Sequence, residues 1–458
     1  MHLLTLLLVM LFALVIAYFC YSVYFYGGRW VANPYNPRIS SQKQHVIMGT
    51  LTDRDGTVLA YTDEDGQRRY NNSADTRKAV CQVVGDSGGK VSTGADTFHA
   101  QFLLGFRSSI FERLADAFTG TTQRGDDVRL TISERLSRYI SEQFPKGKRG
   151  AVVVLNYKTN EILAMVSMPQ FDPTNMDAAL ADESAGALIN RATQGLYPPG
   201  STFKTVTALA GMEYLSDWQS FQVECTGERV FQDKVIHCYN NKVHGMVDMK
   251  SALAYSCNCY FAALADEIGA GKLAKTMRQV GMDADSRFEL ETSRNSIYLA
   301  KGATESELVE TAIGQGRTGV TPLYMAMLAS AFANDGMMMK PYIVDHVVYP
   351  DGTETKNTVP EKLTEICTAE EAAAIRDMMI GVVSGGTGTA AAINGVTVAG
   401  KTGTAENATG YDHSWFIGFA PAENPKVAVA VVIENANYGS ATPIAGKVMQ
   451  AALAELEK

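Results

Sequence analysis

The chain has 458 residues and a mean hydropathy near zero, which excludes a polytopic membrane protein. Asp and Glu number 49 against 40 Lys and Arg, a net charge of −9 with no large basic cluster, which excludes nucleic-acid binding as a main role. Hydrophobic residues at 46% and charged residues at 19% are those of a globular protein rather than a disordered one, and seven cysteines are too few for a disulfide scaffold.

The first element is Leu3–Tyr26, a run without a formal charge. As a helix it measures about 36 Å, enough to cross a hydrocarbon core of about 30 Å with some tilt. It is too long for the apolar region of a cleavable signal peptide, and no small-x-small cleavage site clearly follows. Residues 1–28 are therefore read as a short cytoplasmic start and an uncleaved transmembrane signal-anchor. Arg29, Arg38 and Lys43 follow the run, so the positive-inside rule gives no basis for placing the rest of the chain outside. That placement has to come from chemistry.

Residues 29–70 are polar and turn-rich, and 71–132 mix short strand-like and helix-like pieces. From Ser133 the spacing predicts an amphipathic helix, with Leu136, Ile140 and Phe144 on one face. Ala151–Leu155 and Ile162–Ser167 are predicted strands around the turn Lys158-Thr159-Asn160. Helical patterns dominate from about 180 to 380. Val396–Thr404, His413–Ala420 and Val427–Glu434 are predicted strands, and a helix over about 443–457 closes the chain. A hairpin at one end and three strands at the other predict an α+β domain whose sheet is assembled from both ends.

Three short motifs carry chemistry. Tyr197-Pro198-Pro199-Gly200-Ser201-Thr202-Phe203-Lys204 is a turn running into a helix pattern over Thr205–Leu215. Positions i and i+3 share a helix face, so Lys204 is within reach of the Ser201 hydroxyl, and the helix N-terminus favours developing negative charge there. Ser256-Cys257-Asn258 opens another helix-like stretch, and Lys401-Thr402-Gly403-Thr404 lies on a predicted strand. An S-x-x-K alone is weak: Ser40-Ser41-Gln42-Lys43 also satisfies it, in a polar stretch with no helix pattern behind it, and is read as chance. Against chance matches, with Ser201 a mere helix cap, stand the order and the context of all three.

With these residues the chain resembles the class B penicillin-binding proteins, monofunctional peptidoglycan D,D-transpeptidases. The likeness extends to Gly150-Ala151-Val152-Val153-Val154-Leu155, Ala164-Met165-Val166-Ser167-Met168-Pro169, Ile313-Gly314-Gln315-Gly316, Gly386-Thr387-Gly388-Thr389-Ala390 and Trp415-Phe416-Ile417-Gly418-Phe419-Ala420-Pro421. It is weaker over 36–132, where Thr52-Asp53-Arg54-Asp55-Gly56 resembles the family's N-terminal module, with Met48-Gly49 where the family usually has Arg-Gly. The resemblance implies an α+β serine penicillin-recognising transpeptidase fold over 145–458, an antiparallel sheet flanked by helices plus an all-helical subdomain. A small pedestal would occupy 29–144, short as in the compact enzymes of Gram-positive bacteria. It also implies an extracytoplasmic catalytic domain anchored in the cell membrane.

The residues and the resemblance together assign Ser201 as nucleophile and Lys204 as its base, which must be neutral to act. Burial and a second cation, Lys401, would lower its pKa. Ser256 would pass a proton to the departing D-Ala amine, and Asn258 would hold Lys204 and the substrate amide. Lys401 and Thr402 would attract the substrate carboxylate, with Gly403 and Thr404 also in the substrate-binding set. By resemblance, the backbone N–H groups of Ser201 and Thr404 form the oxyanion hole. Expected partners are peptidoglycan stem peptides, β-lactams and a polytopic membrane glycan polymerase.

No cofactor is required by this chemistry. Cys225 and Cys238 flank a strand-like piece near His237 and His244, and Cys257 and Cys259 bracket Asn258. Buried thiols, a disulfide and a zinc site through Cys225 and Cys238 all remain open. Among rival functions, a D,D-carboxypeptidase differs only in using water as acceptor. A serine β-lactamase needs a deacylating base, for which Glu291-Thr292-Ser293-Arg294-Asn295 has the spacing. A signalling receptor would need a cytoplasmic effector domain, for which Met1-His2 leaves no room, and 29–144 is too short for a glycan-polymerising domain.

Overall fold

The computed structural model describes residues 2–31, 46–106, 123–181, 186–232, 234–299, 302–355, 357–407, 410–436 and 438–457. The chance motif at Ser40–Lys43, with Arg38, lies outside them.

Helix α1 (His2–Val31) contains the apolar run, and its large apolar side chains from Leu3 to Val23 are exposed. A helix that is apolar on every side and exposed along Leu3–Phe19, with only Ser22 near its end buried among the described residues, suits lipid rather than a core. The strands follow as β1 (Leu51–Thr52), β2 (Val58–Thr62), β3 (Arg68–Tyr70), β4 (Asp127–Leu130), β5 (Gly150–Asn156), β6 (Ile162–Met168), β7 (Val223–Cys225), β8 (Glu228–Phe231), β9 (Lys234–His237), β10 (Gly245–Val247), β11 (Met337–Met339), β12 (Val344–Val348), β13 (Lys362–Glu365), β14 (Ala399–Ala405), β15 (His413–Ala420) and β16 (Val427–Ile433). The helices that shape the site are α2 (Glu134–Gln143), α3 (Lys204–Tyr214), α4 (Met249–Ala254), α5 (Asn258–Ile268), α6 (Pro322–Ala333), α7 (Ala369–Ser384) and α8 (Ala441–Leu456).

The main sheet has the order β14-β15-β16-β5-β6 and is antiparallel throughout, with Val431 opposite Val152 and Lys401 opposite Ile417. The expected assembly from both ends of the domain is what forms. Both faces are covered, so β16 is buried along its whole length. Alternate residues sort to opposite sides: Ala151, Val153 and Leu155 pack with α6, whereas Val152 and Val154 pack with Leu136 and Ile140 of α2 and with α8. The predicted amphipathic helix is α2, capped by Ser133, whose hydroxyl accepts from Leu136 N at 3.1 Å.

A smaller sheet has the order β12-β4-β1-β2-β3. β4 runs parallel to β1, and β12 pairs antiparallel with β4, Val344 opposite Leu130. Asp53 ties this lobe to the larger one. One carboxylate oxygen accepts from Asp55 N and Thr57 N, at 3.0 and 2.7 Å, and the other accepts from Glu134 N at 3.1 Å, at the start of α2.

Two differences from the sequence reading stand out. The stretch read as mainly helical contains β7 to β13, strands of three to five residues. Segments that short do not display a period of two against the helical background. β14 also begins at Ala399 rather than Val396, because Ile393–Val396 closes a tight turn first.

Candidate active site

Residues 200–203 form a single turn of 3-10 helix that continues into α3. In that geometry i and i+3 eclipse, which stacks Lys204 directly behind Ser201. Three contacts fix the turn. The Trp415 indole N–H donates to Pro198 O at 3.0 Å, the Thr202 hydroxyl to Pro199 O at 2.6 Å, and Gly200 N to Gly314 O at 2.9 Å. Both glycines are required. Gly200 has φ +54° and a Cβ there would lie 2.4 Å from Thr404 O; a Cβ on Gly314 would lie 1.9 Å from Gly200 O. The Ile313-Gly314 turn and the end of β14 thus press on the nucleophile turn from two sides.

Helix α4 ends at Ala254 and α5 starts at Asn258; between them Ser256 takes φ +58°, the left-handed region that a side chain disfavours. This bend aims Ser256 and Asn258 at the buried amines. Lys204 Nζ donates to Ser256 O at 2.7 Å, Ser256 Oγ at 3.2 Å and Asn258 Oδ1 at 2.5 Å. Lys401 Nζ donates to Ser256 Oγ at 3.0 Å and Thr402 O at 3.0 Å. Both lysines are fully buried. Burial pulls the Lys204 amine down to about 8, against the opposing pull of Cys257 and its neighbouring thiols. Burial, then the charge of Lys204, holds Lys401 well below the usual lysine range. Two ammoniums cannot share one buried hydroxyl cheaply, so this pair stores at least one readily lost proton.

A cleft of about 590 Å³ opens on this machinery, a size suited to a small ligand or a peptide end. Ser201, Ser256, Asn258, Thr387, Thr402 and Thr404 line it, and the Thr387 and Thr402 hydroxyls meet at 2.7 Å. Ser201, Lys204, Ser256, Asn258, Lys401, Thr402 and Thr404 are therefore gathered in one place. Three sit differently from the sequence expectation. Lys401 lies behind Ser256 rather than on the cleft wall, so a carboxylate in the cleft meets threonine hydroxyls before it meets an amine. Gly403 faces inward, where a Cβ would lie 2.9 Å from both Thr202 and Trp415, and it serves to bring β14 against the nucleophile turn. Lys204 is bonded to Ser256 and Asn258 rather than to Ser201.

The sequence reading missed the mouth of the cleft. Tyr239, before β10, and Tyr438, before α8, stack there with ring centroids 4.4 Å apart. No motif spacing links them. Glu291 and Asn295 do not line the cleft: Glu291 is exposed and Asn295 accepts from Thr321 N at 2.8 Å. The spacing that suggested a deacylating base is therefore incidental.

Behind the Ser256–Asn258 turn, Cys225, Cys238, His244 and Cys257 bring one donor atom each within 4.8 Å of one another. All seven cysteines are unbridged in the structure, and Cys225 Sγ and Cys238 Sγ lie 3.6 Å apart, against about 2.05 Å for a disulfide bond. His237 faces away, 3.4 Å from the Glu228 carboxylate.

Residues 150–453 match the penicillin binding protein transpeptidase domain family. The peptidoglycan D,D-transpeptidase PbpA of Mycolicibacterium smegmatis is 34% identical over 93% of this chain and 92% of its own length. Among solved structures, the D,D-transpeptidase domain of a peptidoglycan glycosyltransferase from Eggerthella lenta superposes with a TM-score of 0.81 at 32% identity, covering 90% of this chain and 99% of that one. Penicillin-binding protein A of M. tuberculosis, solved as its imipenem acyl-enzyme, gives 0.80 at 31% identity over 90% of this chain and 100% of its own. Matching in sequence over nearly its whole length, in fold, and in the S-x-x-K, S-x-N and K-T-G residues gathered at one cleft, the chain belongs to the class B penicillin-binding proteins, the serine peptidoglycan D,D-transpeptidases.

Proposed function

We propose that this protein cross-links peptidoglycan by a two-step acyl transfer through Ser201, and that β-lactams inhibit it by acylating the same hydroxyl. The observation that carries the reading is the convergence of two buried amines, Lys204 and Lys401, on the single Ser256 hydroxyl behind a cleft that exposes Ser201. In the first step Ser201 Oγ attacks the carbonyl of the penultimate D-Ala, and Lys204 in its neutral form takes the proton. The new O–C bond forms, the C–N amide bond breaks, and the leaving D-Ala amine takes a proton delivered through Ser256. In the second step an amine of another stem peptide attacks the ester carbonyl, loses its proton along the same path, and Ser201 is regenerated. Ser256 suits a relay because its hydroxyl accepts from one amine and can donate to the other once that amine is neutral.

The backbone N–H groups of Ser201 and Thr404 stabilise the oxyanion, a contribution of about 3–4 kcal/mol per donor. The close approach of Gly200 to Thr404 supports that pairing. β14 is an edge strand whose open side faces the cleft, so an extended stem peptide can add to it. Thr387 and Thr402 are placed to receive the terminal carboxylate, with Lys401 behind them as the source of positive potential. No cofactor enters these bond changes; zinc held through Cys225 and Cys238 would be a structural element only.

The penicilloyl-enzyme is expected to persist for many minutes, because no carboxylate base at Glu291 faces the cleft. A fluorescent-penicillin chase checks this, and Glu291→Ala should leave the decay unchanged. Rapid turnover lost in that variant would establish a β-lactamase instead. The acceptor is expected to be an amine: polymerised glycan with abundant acceptor should give cross-linked product. Release of free D-Ala alone would establish a carboxypeptidase.

The domain plan of this reading is an anchor at 1–28, a pedestal at 29–144 and a transpeptidase domain at 145–458, the last on the extracytoplasmic side where the glycan lies. A cross-linker of this plan lacks its own glycan source, so its partner is a polytopic membrane glycan polymerase. Ala13, Ala17 and Ser22 give α1 the small residues that close helix packing uses. Exchanging α1 for an unrelated membrane helix, or the 29–144 module for another, should weaken co-purification of the polymerase. If neither exchange does, α1 is a tether and no more.

A further inference from the structure

The acyl-transfer scheme leaves the far end of the cleft without a task. We propose that Glu406 and Asp412, beside the stacked Tyr239 and Tyr438, form a subsite for an ammonium group on the donor residue that precedes D-Ala-D-Ala, so that the enzyme selects stem peptides whose side chain keeps a free amine there. The proposal rests on the acyl-transfer reading above, which supplies the direction of the bound peptide.

The position follows from β14. Side chains of a strand alternate, so every second one shares a face, about 7 Å apart. Thr402 and Thr404 of β14 and Glu406 just past its end have that spacing, and all three line the cleft. A donor with its terminal carboxylate at Thr402 and its scissile carbonyl at the Thr404 N–H must run toward Glu406 with the residues that precede the D-Ala pair. The preceding residue then comes beside Ala405, and a side chain of several carbons reaches the Glu406 carboxylate. Ala405 pairs with His413, so Glu406 and Asp412 are the next residues out from β14 and β15. Asp412 O accepts from Ala436 N at 2.8 Å, and Asn407 Nδ2 donates to Asn435 Oδ1 at 2.8 Å. These bonds hold the segment leading to Tyr438 against the same end of the sheet.

The chemistry at this end suits a cation. Glu406 is exposed and Asp412 half-buried, and neither carboxylate has a Lys or Arg partner among the described residues. Lys242, the one Lys or Arg among the described residues that line the cleft, is turned to the Tyr255 ring, 5.8 Å from its centroid. His413 follows Asp412, but burial holds its pKa below the ordinary histidine value, so it carries little charge at neutral pH. The Tyr239 and Tyr438 rings stack at 22° to each other and stay 53% and 45% exposed, which leaves an open face for a ligand. An ammonium is drawn to ring faces as well as to carboxylates, and a neutral side chain gains from neither. The cleft is thus positive where Lys401 backs Thr402 and negative at Glu406 and Asp412. That polarity complements a peptide with a carboxylate at its end and an amine farther back.

The test uses the full chain purified in detergent and two donors, Nα-acetyl-Lys-D-Ala-D-Ala and the same peptide with its ε-amine acetylated. Release of D-Ala at limiting peptide reads kcat/KM up to the acyl-enzyme. Where turnover is slow, protection of Ser201 from fluorescent penicillin by each peptide gives the corresponding ratio. Exposed ion pairs are individually weak, so two carboxylates and two rings should favour the free amine about tenfold. Glu406→Gln with Asp412→Asn should bring the ratio close to one, and Glu406→Lys should invert it. Added salt should shrink the wild-type ratio, which a preference for shape alone would not do. Glu291→Gln removes a carboxylate away from the cleft and should leave the ratio at its wild-type value. Each protein is compared with itself across two peptides, so a loss of folded protein cancels. Equal rates for the two peptides in the wild type, or a preference that survives Glu406→Gln with Asp412→Asn, overturns the subsite, while penicillin labelling of Ser201 keeps the acyl-transfer reading. A Glu406-dependent release of D-Ala that persists in Ser201→Ala overturns the acyl-transfer reading instead and leaves the ammonium subsite standing.

Discussion

Ser201→Ala is expected to abolish covalent labelling by fluorescent penicillin and to lower peptide turnover about a millionfold, the scale of losing the nucleophile in a serine acyl-transfer site. The Ser201 hydroxyl lies at the cleft, while the turn that carries it is held by Pro198, Pro199, Gly200 and Thr202. Removing one partly exposed oxygen leaves all of those contacts in place, so the thermal midpoint should stay within the small range of a surface substitution. Labelling that survives in Ser201→Ala would move the nucleophile elsewhere. Ser256 would be the next residue to test, since it also lines the cleft and touches both amines.

Lys204→Ala should cost about a thousandfold to ten-thousandfold in the acylation rate constant, the range for a positioned general base. The loss has two parts. The proton acceptor for Ser201 disappears, and Asn258 Oδ1 and Ser256 O lose the donor that holds the S-x-N turn. Both acceptors are half-buried at the cleft, where water can replace the amine, so the second part costs less than the ~1–3 kcal/mol of a fully buried unpaired group, and near-ultraviolet circular dichroism should accompany the kinetics. The wild type should show the titration directly. Burial lowers the Lys204 pKa to about 8, and the base works only when deprotonated, so acylation should rise as pH increases through that value. Lys204→Ala should flatten the rise. A wild-type profile flat from neutral to mildly alkaline pH would remove Lys204 as the base.

Much of this site was legible because its parts are local. Pro198-Pro199-Gly200 before Ser201 spells a turn into a helix, and Lys204 three residues on must share that face. Unbroken apolar runs such as Val427–Ile433 announce a strand buried on both sides. What stayed hidden depends on pairing between distant segments. The β7–β10 hairpins are too short to show a period, and nothing in Val344–Val348 announces that it pairs with residues 127–130. Tyr239 and Tyr438 meet only because two loops far apart in sequence reach the same rim. The cysteines were visible as a group, but His244 rather than His237 joins them because of how the loop after Cys238 turns through left-handed Asn240 and Asn241.

The placement of β12 on β4 governs when the smaller lobe can form. Its sheet lacks an outer strand until residues 344–348 are available, so everything between β4 and β12, including Ser201 and the S-x-N turn, must be made before that edge is covered. Contacts of such long sequence separation form late and slowly. A fragment ending before residue 344 keeps β4 as a bare edge, and one starting after residue 130 keeps β12 as another, each open to pairing with a neighbouring molecule. Expression of either piece alone should therefore give aggregates, whereas a chain starting near residue 46 retains both strands and can close the lobe on itself.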